Sequence, residues 1–280
     1  MPGKLGRVII AGSGFDDPRL DDYRNVPDPD LLRARGIFVA EGRLVVRRLL
    51  EESRFRPRSV LVTQAAYAGL ADVLDRSPDL PVYVVTHETM NEVTGFNIHR
   101  GCLAIGERPP ALPWTAVVQD ASLLVMLERV SNADNVGGIF RSAAAFGADA
   151  VLLGPACADP LYRKSIRTSM GAALRVPFAP MPDWPEDLIR LRAAGFRLLA
   201  LTPNADATPL ELIDDEGQPR AAKDTLLVGH EGEGLSAEAI AAADVRIRIP
   251  MAADVDSLNV ATAASIALYE LASRRSRTAR

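Results

Sequence analysis

Several residue types that would point to particular functions are scarce in this sequence. Only 2 of its 280 residues are cysteine and 3 are histidine. Cys102 and Cys157 lie far apart and match no metal-ligand or disulfide spacing, so we expect two small, buried, apolar side chains and no metal site. No apolar run approaches the ~18 residues of a membrane span, and the start of the chain has too short an apolar run for a signal peptide. We therefore expect a cytoplasmic protein with no membrane partner.

The chain also lacks an excess of positive charge. Its 32 Lys and Arg residues are outnumbered by 36 Asp and Glu residues, which leaves a net charge of −4. This balance gives no global attraction for a polyanion, so any nucleic-acid surface must be a local patch. Lysine occurs only at Lys4, Lys164 and Lys223, so arginine must dominate such a patch. The candidate clusters are residues 47–58, 97–101 and 163–167, and each of them could also be an ordinary solvated face.

Prolines mark the predicted boundary between two domains. The segment GERPPALPW, Gly106 to Trp114, packs three prolines into five positions, a composition that neither a helix interior nor a central strand tolerates. A chain of 280 residues that is 48% apolar is long enough for about two domains with sizeable cores. We therefore predict one domain over residues 1–108, a linker over residues 109–114 and a second domain over residues 115–280.

Short apolar runs alternate with helical stretches in both predicted domains. Before the linker this alternation predicts a small α/β domain with mostly parallel strands. The Asp- and Pro-rich residues 1–30 are expected to form an extended arm that packs late or stays mobile. After the linker the runs are almost continuously apolar, as strands buried on both faces require, and they predict an open parallel sheet. These five runs are SLLVMLE, AVLLG, RLLALT, TLLVG and VRIRIP.

Ligands of open parallel sheets bind in the loops at the carboxyl ends of the strands, and here those loops are rich in Asn, Gly, Asp and Glu. The loop GHEGEG at residues 229–234 lacks the Lys-Ser/Thr ending of a phosphate-binding P-loop. Near the start of the chain, Gly12 and Gly14 would need a third glycine at position 17 for a dinucleotide fingerprint, but Asp17 stands there. A nucleotide-dependent oxidoreductase on an unknotted doubly wound sheet is therefore disfavoured.

Three ordered segments after the linker carry a family resemblance. Residues 132–153, 225–236 and 249–270 resemble the three motifs of the SpoU/TrmH branch of the SPOUT RNA methyltransferases, and residues 159–178 resemble that family's segment between its first two motifs. The resemblance implies an α/β fold in which a SPOUT parallel-sheet domain with a C-terminal trefoil knot follows a smaller α/β substrate-binding domain. It also implies S-adenosylmethionine as cofactor, an obligate homodimer, and methyl transfer to a ribose 2′-hydroxyl of rRNA or tRNA.

The resemblance further implies which residues form the site. Gly229, Ile249 and Leu258 match positions that hold the cofactor through backbone and apolar contacts. Asn135 and Arg141 match the catalytic Asn and Arg of the family. Because a guanidinium with a pKa above ~12 is an awkward general base, we assign Arg141 first to gripping the phosphate next to the target ribose.

Three more residues complete the implied catalytic set. Glu231 matches an invariant carboxylate, and its expected role is to fix the Arg141 guanidinium through a bidentate pair, whereas Glu233 could be a solvated loop charge. Ser257 and Asn259 begin the last predicted helix, and the family assigns them to ordering the hydroxyl and the methionine end of the cofactor. Ser257 could equally serve as the N-cap of that helix.

Two departures from the family pattern lie beside the expected cofactor. His230 stands where the family commonly has a small amide or hydroxyl residue, and Ala253 and Asp254 stand where a glycine is frequent. Neither departure removes a catalytic residue. A catalytically inactive RNA-binding protein with the same fold is therefore the less favoured alternative.

Small residues recur on the last predicted helix. The segment NVATAASIALYELA, residues 259–272, places Ala, Thr and Ser at helical spacing, which lets another helix approach closely. The approaching helix belongs either to the same domain or to the second subunit of a homodimer.

Overall fold

The structure, a computed structural model, describes residues 7–9, 16–24, 27–95, 97–98, 101–213, 223–252, 255 and 257–278. The chain forms two compact units. The first unit combines Met1–Pro110 with Leu161–Arg175, and the second combines Ala111–Pro160 with Val176–Arg280. The predicted division assigned residues 161–175 to the second domain, so the two divisions differ in this segment.

Strands occur in both units, and apolar side chains fill most of their positions. Within the described residues the strands are β1 (Arg7–Ile9), β2 (Ile37–Glu41), β3 (Pro57–Thr63), β4 (Val82–Val85), β5 (Cys102–Glu107), β6 (Leu123–Leu127), β7 (Ala150–Leu153), β8 (Phe178–Pro180), β9 (Arg197–Leu201), β10 (Thr208–Pro209), β11 (Asp224–Val228) and β12 (Val245–Arg248).

Helices separate most of these strands. The α-helices in the same ranges are α1 (Asp28–Asp30), α2 (Arg43–Glu51), α3 (Gln64–Ala68), α4 (Ala71–Leu74), α5 (His87–Thr94), α6 (Trp114–Val117), α7 (Ala133–Ala145), α8 (Arg163–Thr168), α9 (Glu186–Ala193), α10 (Ala237–Ala242) and α11 (Val260–Thr278). Short 3-10 helices cover Pro18–Tyr23, Ala172–Leu174 and Leu210–Leu212, and a π-helix covers Leu31–Arg35. In the part of the chain that the structure describes, no helix is both long and apolar enough to cross a membrane.

The sheet of the first unit has five strands in the order β1-β4-β3-β5-β2. Strand β4 pairs parallel with β1 and β3, whereas β5 pairs antiparallel with β3 and β2. The prediction of an α/β domain is confirmed, but the prediction of mostly parallel strands is wrong, because two of the four pairings are antiparallel. Apolar runs reveal where a strand lies and not in which direction it enters the sheet.

The described part of the predicted N-terminal arm is packed into the first unit. Strand β1 joins the edge of the sheet by pairing with β4. The 3-10 helix that follows buries Leu20 and Tyr23, and the Tyr23 hydroxyl lies 2.7 Å from Ser59 Oγ. The expectation of an extended arm is therefore wrong for residues 18–23, which are helical because burial of the two side chains outweighs the polar composition around them, whereas β1 is extended. Residues 1–6, 10–15 and 25–26 lie outside the described residues.

The segment Leu161–Arg175 packs with the first unit through hydrogen bonds and charge pairs. The Arg163 amide donates to Asp28 Oδ2 at 2.8 Å, and Ser53 Oγ donates to the Leu174 carbonyl at 3.3 Å. Arg175 Nη1 pairs with Glu52 Oε2 at 2.7 Å. The basic cluster at residues 163–167 therefore belongs to the first unit.

The sheet of the second unit has seven strands in the order β10-β12-β9-β11-β6-β7-β8, and every pairing is parallel. This confirms the predicted open parallel sheet, and each of the five predicted apolar runs is a strand. The sequence analysis missed β8 and β10, because strands of three and two residues are too short to produce an apolar pattern. The trefoil knot stays a prediction.

Both faces of this sheet are covered, which explains its almost continuously apolar strands. Alternate strand residues such as Leu124, Met126 and Leu198 form one core cluster with side chains of α6, α9 and α10. Helices α7 and α11 pack against β7 and β11. Burial on both faces removes the polar alternation that a half-exposed sheet would show.

Helices α7 and α11 approach each other through small residues. A Cβ on Gly138 would lie 2.9 Å from the Ala261 Cβ. Farther along, the hydroxyl oxygens of Ser142 and Ser265 lie 2.6 Å apart. The small-residue face of α11 therefore packs against a helix of its own unit, which was one of the two alternatives.

Candidate active site

Three neighbouring strands of the second unit end at one pocket. Strands β12, β9 and β11 lie side by side, and the segments that follow their carboxyl ends enclose a cavity of about 390 Å³. Small-molecule sites commonly have volumes of ~300–1,000 Å³. The lining includes residues 201–204, 228–235, 249, 251, 257 and 258.

The loop after β11 folds back over Gly229. The His230 amide donates to the Gly234 carbonyl and the Gly234 amide donates to the His230 carbonyl, both at 3.0 Å. A Cβ on Gly229 would lie 2.3 Å from Leu235 N and equally close to the Gly234 carbonyl carbon. Because backbone atoms cannot move aside as the end of a side chain can, only glycine fits here without a shift of the loop.

Three of the predicted catalytic residues are joined by hydrogen bonds. Asn259 Nδ2 donates to Asn135 Oδ1 at 2.9 Å, and Asn135 Nδ2 donates to Glu231 Oε1 at 2.8 Å. Asn135 lies in the first turn of α7 and only 7% of it is exposed. Each amide has one donor and one acceptor end, so the three side chains hold one another in a fixed orientation. We call this series of side chains the amide relay.

The start of α11 fixes the direction of the amide relay. Asn259 Oδ1 accepts from the amides of Ala261 at 3.0 Å and Thr262 at 3.2 Å. Because these backbone groups can only donate, Nδ2 of Asn259 must face Asn135. Asn259, and not Ser257, therefore caps the helix, and Ser257 lies exposed at the pocket.

Arg141 lies on the exposed side of α7. Its side chain forms no ion pair or hydrogen bond with any residue that the structure describes. The predicted pair with Glu231 is not formed, since Glu231 accepts from Asn135 instead. Six residues of an α-helix correspond to about 240° around its axis, so Arg141 and the buried Asn135 point in different directions.

Two charged residues that the sequence analysis missed support the pocket. Glu128, which is 1% exposed, follows β6 and its Oε2 accepts from the Ser236 amide at 2.8 Å. Arg129 Nη1 pairs with Glu233 Oε2 at 2.8 Å, and the Glu233 side chain remains 68% exposed, as the alternative of a solvated loop charge requires. The available signal was the position of Glu128 at the carboxyl end of an apolar run.

The segment after β9 also reaches the pocket and was not assigned to it. Thr202, Pro203 and Asn204 line the cavity beside Leu201. The loop TPNADAT, residues 202–208, directly follows the apolar run RLLAL, and this position at a carboxyl end of the sheet was the signal that could have identified these residues. Ala253 and Asp254, the second departure from the family pattern, lie outside the described residues.

Neither cysteine takes part in a metal cluster. Among the described residues, no group of three or more His, Cys, Asp or Glu side chains is placed to hold a metal ion. Cys102 is buried and Cys157 is half-buried. Burial raises the pKa of the Cys157 thiol to about 11, so this side chain is neutral at pH 7.

Comparisons with known proteins agree on one family. Residues 122–269 match the model of the SpoU rRNA Methylase family. An "Uncharacterized tRNA/rRNA methyltransferase" of Mycobacterium bovis is 46% identical over 260 residues, which are 91% of this chain and 88% of the relative. The crystal structure of an AdoMet-bound rRNA methyltransferase from Sinorhizobium meliloti is 27% identical in sequence and has a TM-score of 0.78. The match covers 98% of this chain and 99% of the Sinorhizobium meliloti chain. A crystal structure of an RNA 2′-O ribose methyltransferase is 26% identical, with a TM-score of 0.74 and coverage of 97% and 99%.

The parallel sheet, its carboxyl-edge pocket and these matches define an S-adenosylmethionine-dependent RNA methyltransferase. The chain belongs to the SpoU rRNA methylase family.

The chemistry of the pocket suits S-adenosylmethionine. Leu201, Ile249 and Leu258 provide apolar walls for an adenine, and the backbone of residues 228–235 offers hydrogen-bonding groups beside them. The Glu231 carboxylate, which also lines the cavity, is compatible with a cationic sulfonium. Gly229, Ile249 and Leu258 all line this one cavity, and their roles in holding the cofactor stay a prediction.

Proposed function

We propose that this protein transfers the methyl group of S-adenosylmethionine to the 2′-hydroxyl of a ribose in tRNA or rRNA. The observation that carries the proposal is the amide relay, which joins α7, the loop after β11 and the start of α11 next to the pocket. A ribose hydroxyl is a poor nucleophile, so its methylation depends on fixed positioning of the reacting atoms. The fold match to an RNA 2′-O ribose methyltransferase over 97% of this chain supports ribose as the target.

In this proposal the two neutral amide side chains of the amide relay hold the Glu231 carboxylate in place. Asn135 is held by Asn259 on one side and holds Glu231 on the other. Glu231 Oε1 is occupied by that bond, while its Oε2 lies 3.9 Å from His230 Nε2. The carboxylate therefore has a fixed place at the pocket wall, where it stabilises positive charge.

Arg141 and Ser257 are the predicted residues that remain available to RNA. The exposed guanidinium of Arg141 grips a phosphate of the substrate, since guanidinium groups match phosphate geometry with two parallel hydrogen bonds. The exposed Ser257 hydroxyl at the pocket orders the ribose hydroxyl. When bound, S-adenosylmethionine supplies an activated methyl group: its C–S bond breaks as a C–O bond to the ribose forms, and a neutral thioether and one proton leave.

The remaining assignments concern partners of the whole chain. We assign RNA affinity to the first unit, which contains the arginine cluster at residues 47–58 and the cluster at residues 163–167. We assign the homodimer interface to the exposed apolar side of α11, where Ile266 is 38% and Tyr269 is 57% exposed. The remaining candidate cluster is residues 97–101. Its positions 99 and 100 lie outside the described residues.

The test is methyl transfer from labelled S-adenosylmethionine to tRNA and rRNA isolated from cells that lack the gene. We expect label at a linkage that resists alkaline hydrolysis, because that cleavage needs a free 2′-hydroxyl. Asn135→Ala serves as the site control and should lose label transfer. Label on a base would contradict ribose as the target, and RNA binding without any transfer would favour the inactive RNA-binding alternative.

A further inference from the structure

His230 holds the loop after β11 closed through its side chain. The Gly232 amide donates to His230 Nδ1 at 3.0 Å, and the Glu233 amide donates to the same nitrogen at 3.1 Å. Together with the two backbone bonds between His230 and Gly234, these contacts satisfy three consecutive amides of the loop. The loop carries Glu231, whose carboxylate accepts from Asn135.

We propose that His230 is a positioning residue of the cofactor site, and that it acts through a neutral imidazole whose Nδ1 accepts two backbone hydrogen bonds. An imidazole nitrogen that accepts carries no proton, so the proton of the neutral ring is on Nε2. His230 is one of the residues that line the pocket. His230 therefore shapes the cofactor-binding loop and, through Glu231, supports the amide relay.

The geometry also predicts which residues can replace His230. In asparagine the amide oxygen is attached to Cγ, as Nδ1 is in histidine, so it can accept the same two amides and it does not titrate. In glutamine the oxygen lies one bond farther from the backbone and misses them. Asparagine should therefore rescue the loop and glutamine should not.

The test is the affinity of the full-length protein for S-adenosylmethionine, measured by calorimetry. We expect His230→Asn to bind within about threefold of the unsubstituted protein, and His230→Gln and His230→Ala to bind about tenfold more weakly. Circular dichroism of each variant checks that it is folded.

Two results would overturn the inference: normal binding by His230→Ala, or equal losses in His230→Asn and His230→Ala. The inference rests on the proposed cofactor site and not on the ribose target. Because its readout is cofactor binding, failure of methyl transfer to RNA leaves the result of this test interpretable. Lack of binding by the unsubstituted protein would overturn the cofactor site and this inference together.

Discussion

Asn135 shows how one buried side chain can determine the orientation of several others. Its amide oxygen accepts from Asn259 and its amide nitrogen donates to Glu231, so both of its polar ends are used. A buried amide is tolerated when its donor and its acceptor both have hydrogen-bond partners. A buried acceptor that faces another acceptor is costly. A residue of the same shape is therefore not sufficient at position 135. The side chain must accept a hydrogen bond from Asn259 and donate one to Glu231.

Asn135→Asp should test this requirement with little change in shape. The new carboxylate would stand at hydrogen-bond distance from the Glu231 carboxylate, and we expect the free energy of unfolding to fall by about 2–4 kcal/mol. Adding Glu231→Gln places an amide opposite the carboxylate and should restore most of the loss. Urea unfolding monitored by circular dichroism measures both effects, and equal stability of Asn135→Asp and the unsubstituted protein would contradict the account.

Arg141→Ala should separate RNA binding from cofactor binding. Because Arg141 is exposed and forms no pair with a described residue, its loss should leave the fold and the affinity for S-adenosylmethionine unchanged. Methyl transfer should fall by about 100-fold or more, as expected for a group that holds a substrate in place. Arg192→Ala, which removes an exposed arginine of α9 paired with Asp244 at 2.8 Å, is the matched control in RNA-binding and turnover assays. Unchanged turnover of Arg141→Ala would remove this residue from the site.

At the scale of elements, the loop after β11 depends on close contact between its own backbone segments. Gly229 lies beneath Gly234 and Leu235, whereas a Cβ on Gly232 would meet only the His230 ring at 3.6 Å. Both glycines lie in the same loop, but only a Cβ at position 229 would collide with backbone atoms. This difference allows a matched comparison within one loop.

Gly229→Ala should displace the loop, and Gly232→Ala should not. For Gly229→Ala we expect a loss of about 1–3 kcal/mol in the free energy of unfolding, because backbone atoms must move. Cofactor affinity should fall by about tenfold or more, since Gly229 and the residues above it line the pocket. Thermal unfolding and calorimetry of the two variants check the prediction, and similar behaviour of both would show that the close contact at Gly229 is unimportant.

At the scale of the whole molecule, α11 carries exposed apolar side chains beside its contact with α7. Ala261 and Ser265 pack against α7. Tyr269, one turn farther along the same face, contacts Phe146 edge-to-face at 5.7 Å between ring centres, and both Tyr269 and the neighbouring Ile266 are exposed. Aromatic and aliphatic side chains exposed together are common in subunit interfaces.

Substitution of these two residues should therefore change the oligomeric state. We expect the unsubstituted protein to form a dimer at micromolar concentrations and the double variant Ile266→Glu and Tyr269→Glu to be monomeric there, because burying two carboxylates is costly. Ile189→Glu, at a position of α9 that is 62% exposed, is the control and should leave the mass unchanged. Sedimentation equilibrium gives the masses, and a dimer that survives the double substitution would place the interface elsewhere.

The first unit should contribute electrostatic affinity for RNA. Arg56 and Arg58 have only long contacts with carboxylates, at 3.8 and 3.4 Å. Replacing Arg54, Arg56 and Arg58 together with alanine should flatten the dependence of log affinity on log salt by up to ~3 units if all three contact phosphate. Arg47→Ala is the control, because its guanidinium is held by a carboxylate at 2.6 Å and is less available to RNA. A salt slope that does not change would exclude this cluster from the RNA surface.

The sequence by itself determined the parallel sheet of the second unit. Strands β6, β7, β9, β11 and β12 were all predicted, because burial on both faces leaves a local record of consecutive apolar residues. The loops at the carboxyl ends were also identified, and residues from three of them line the pocket. Local composition was sufficient for these features because each depends on a few consecutive residues.

Only the tertiary structure decided how the polar side chains are partnered. Glu231 accepts from a residue 96 positions away, and Asn135 is held by one 124 positions away. Arg141 was the predicted partner of Glu231, but the rotation of α7 turns it toward solvent. The same limit applies to residues 161–175, whose bonds to the first unit join positions more than 100 residues apart. Hydrogen bonds require distances near 3 Å and a defined direction, and a one-dimensional pattern contains neither.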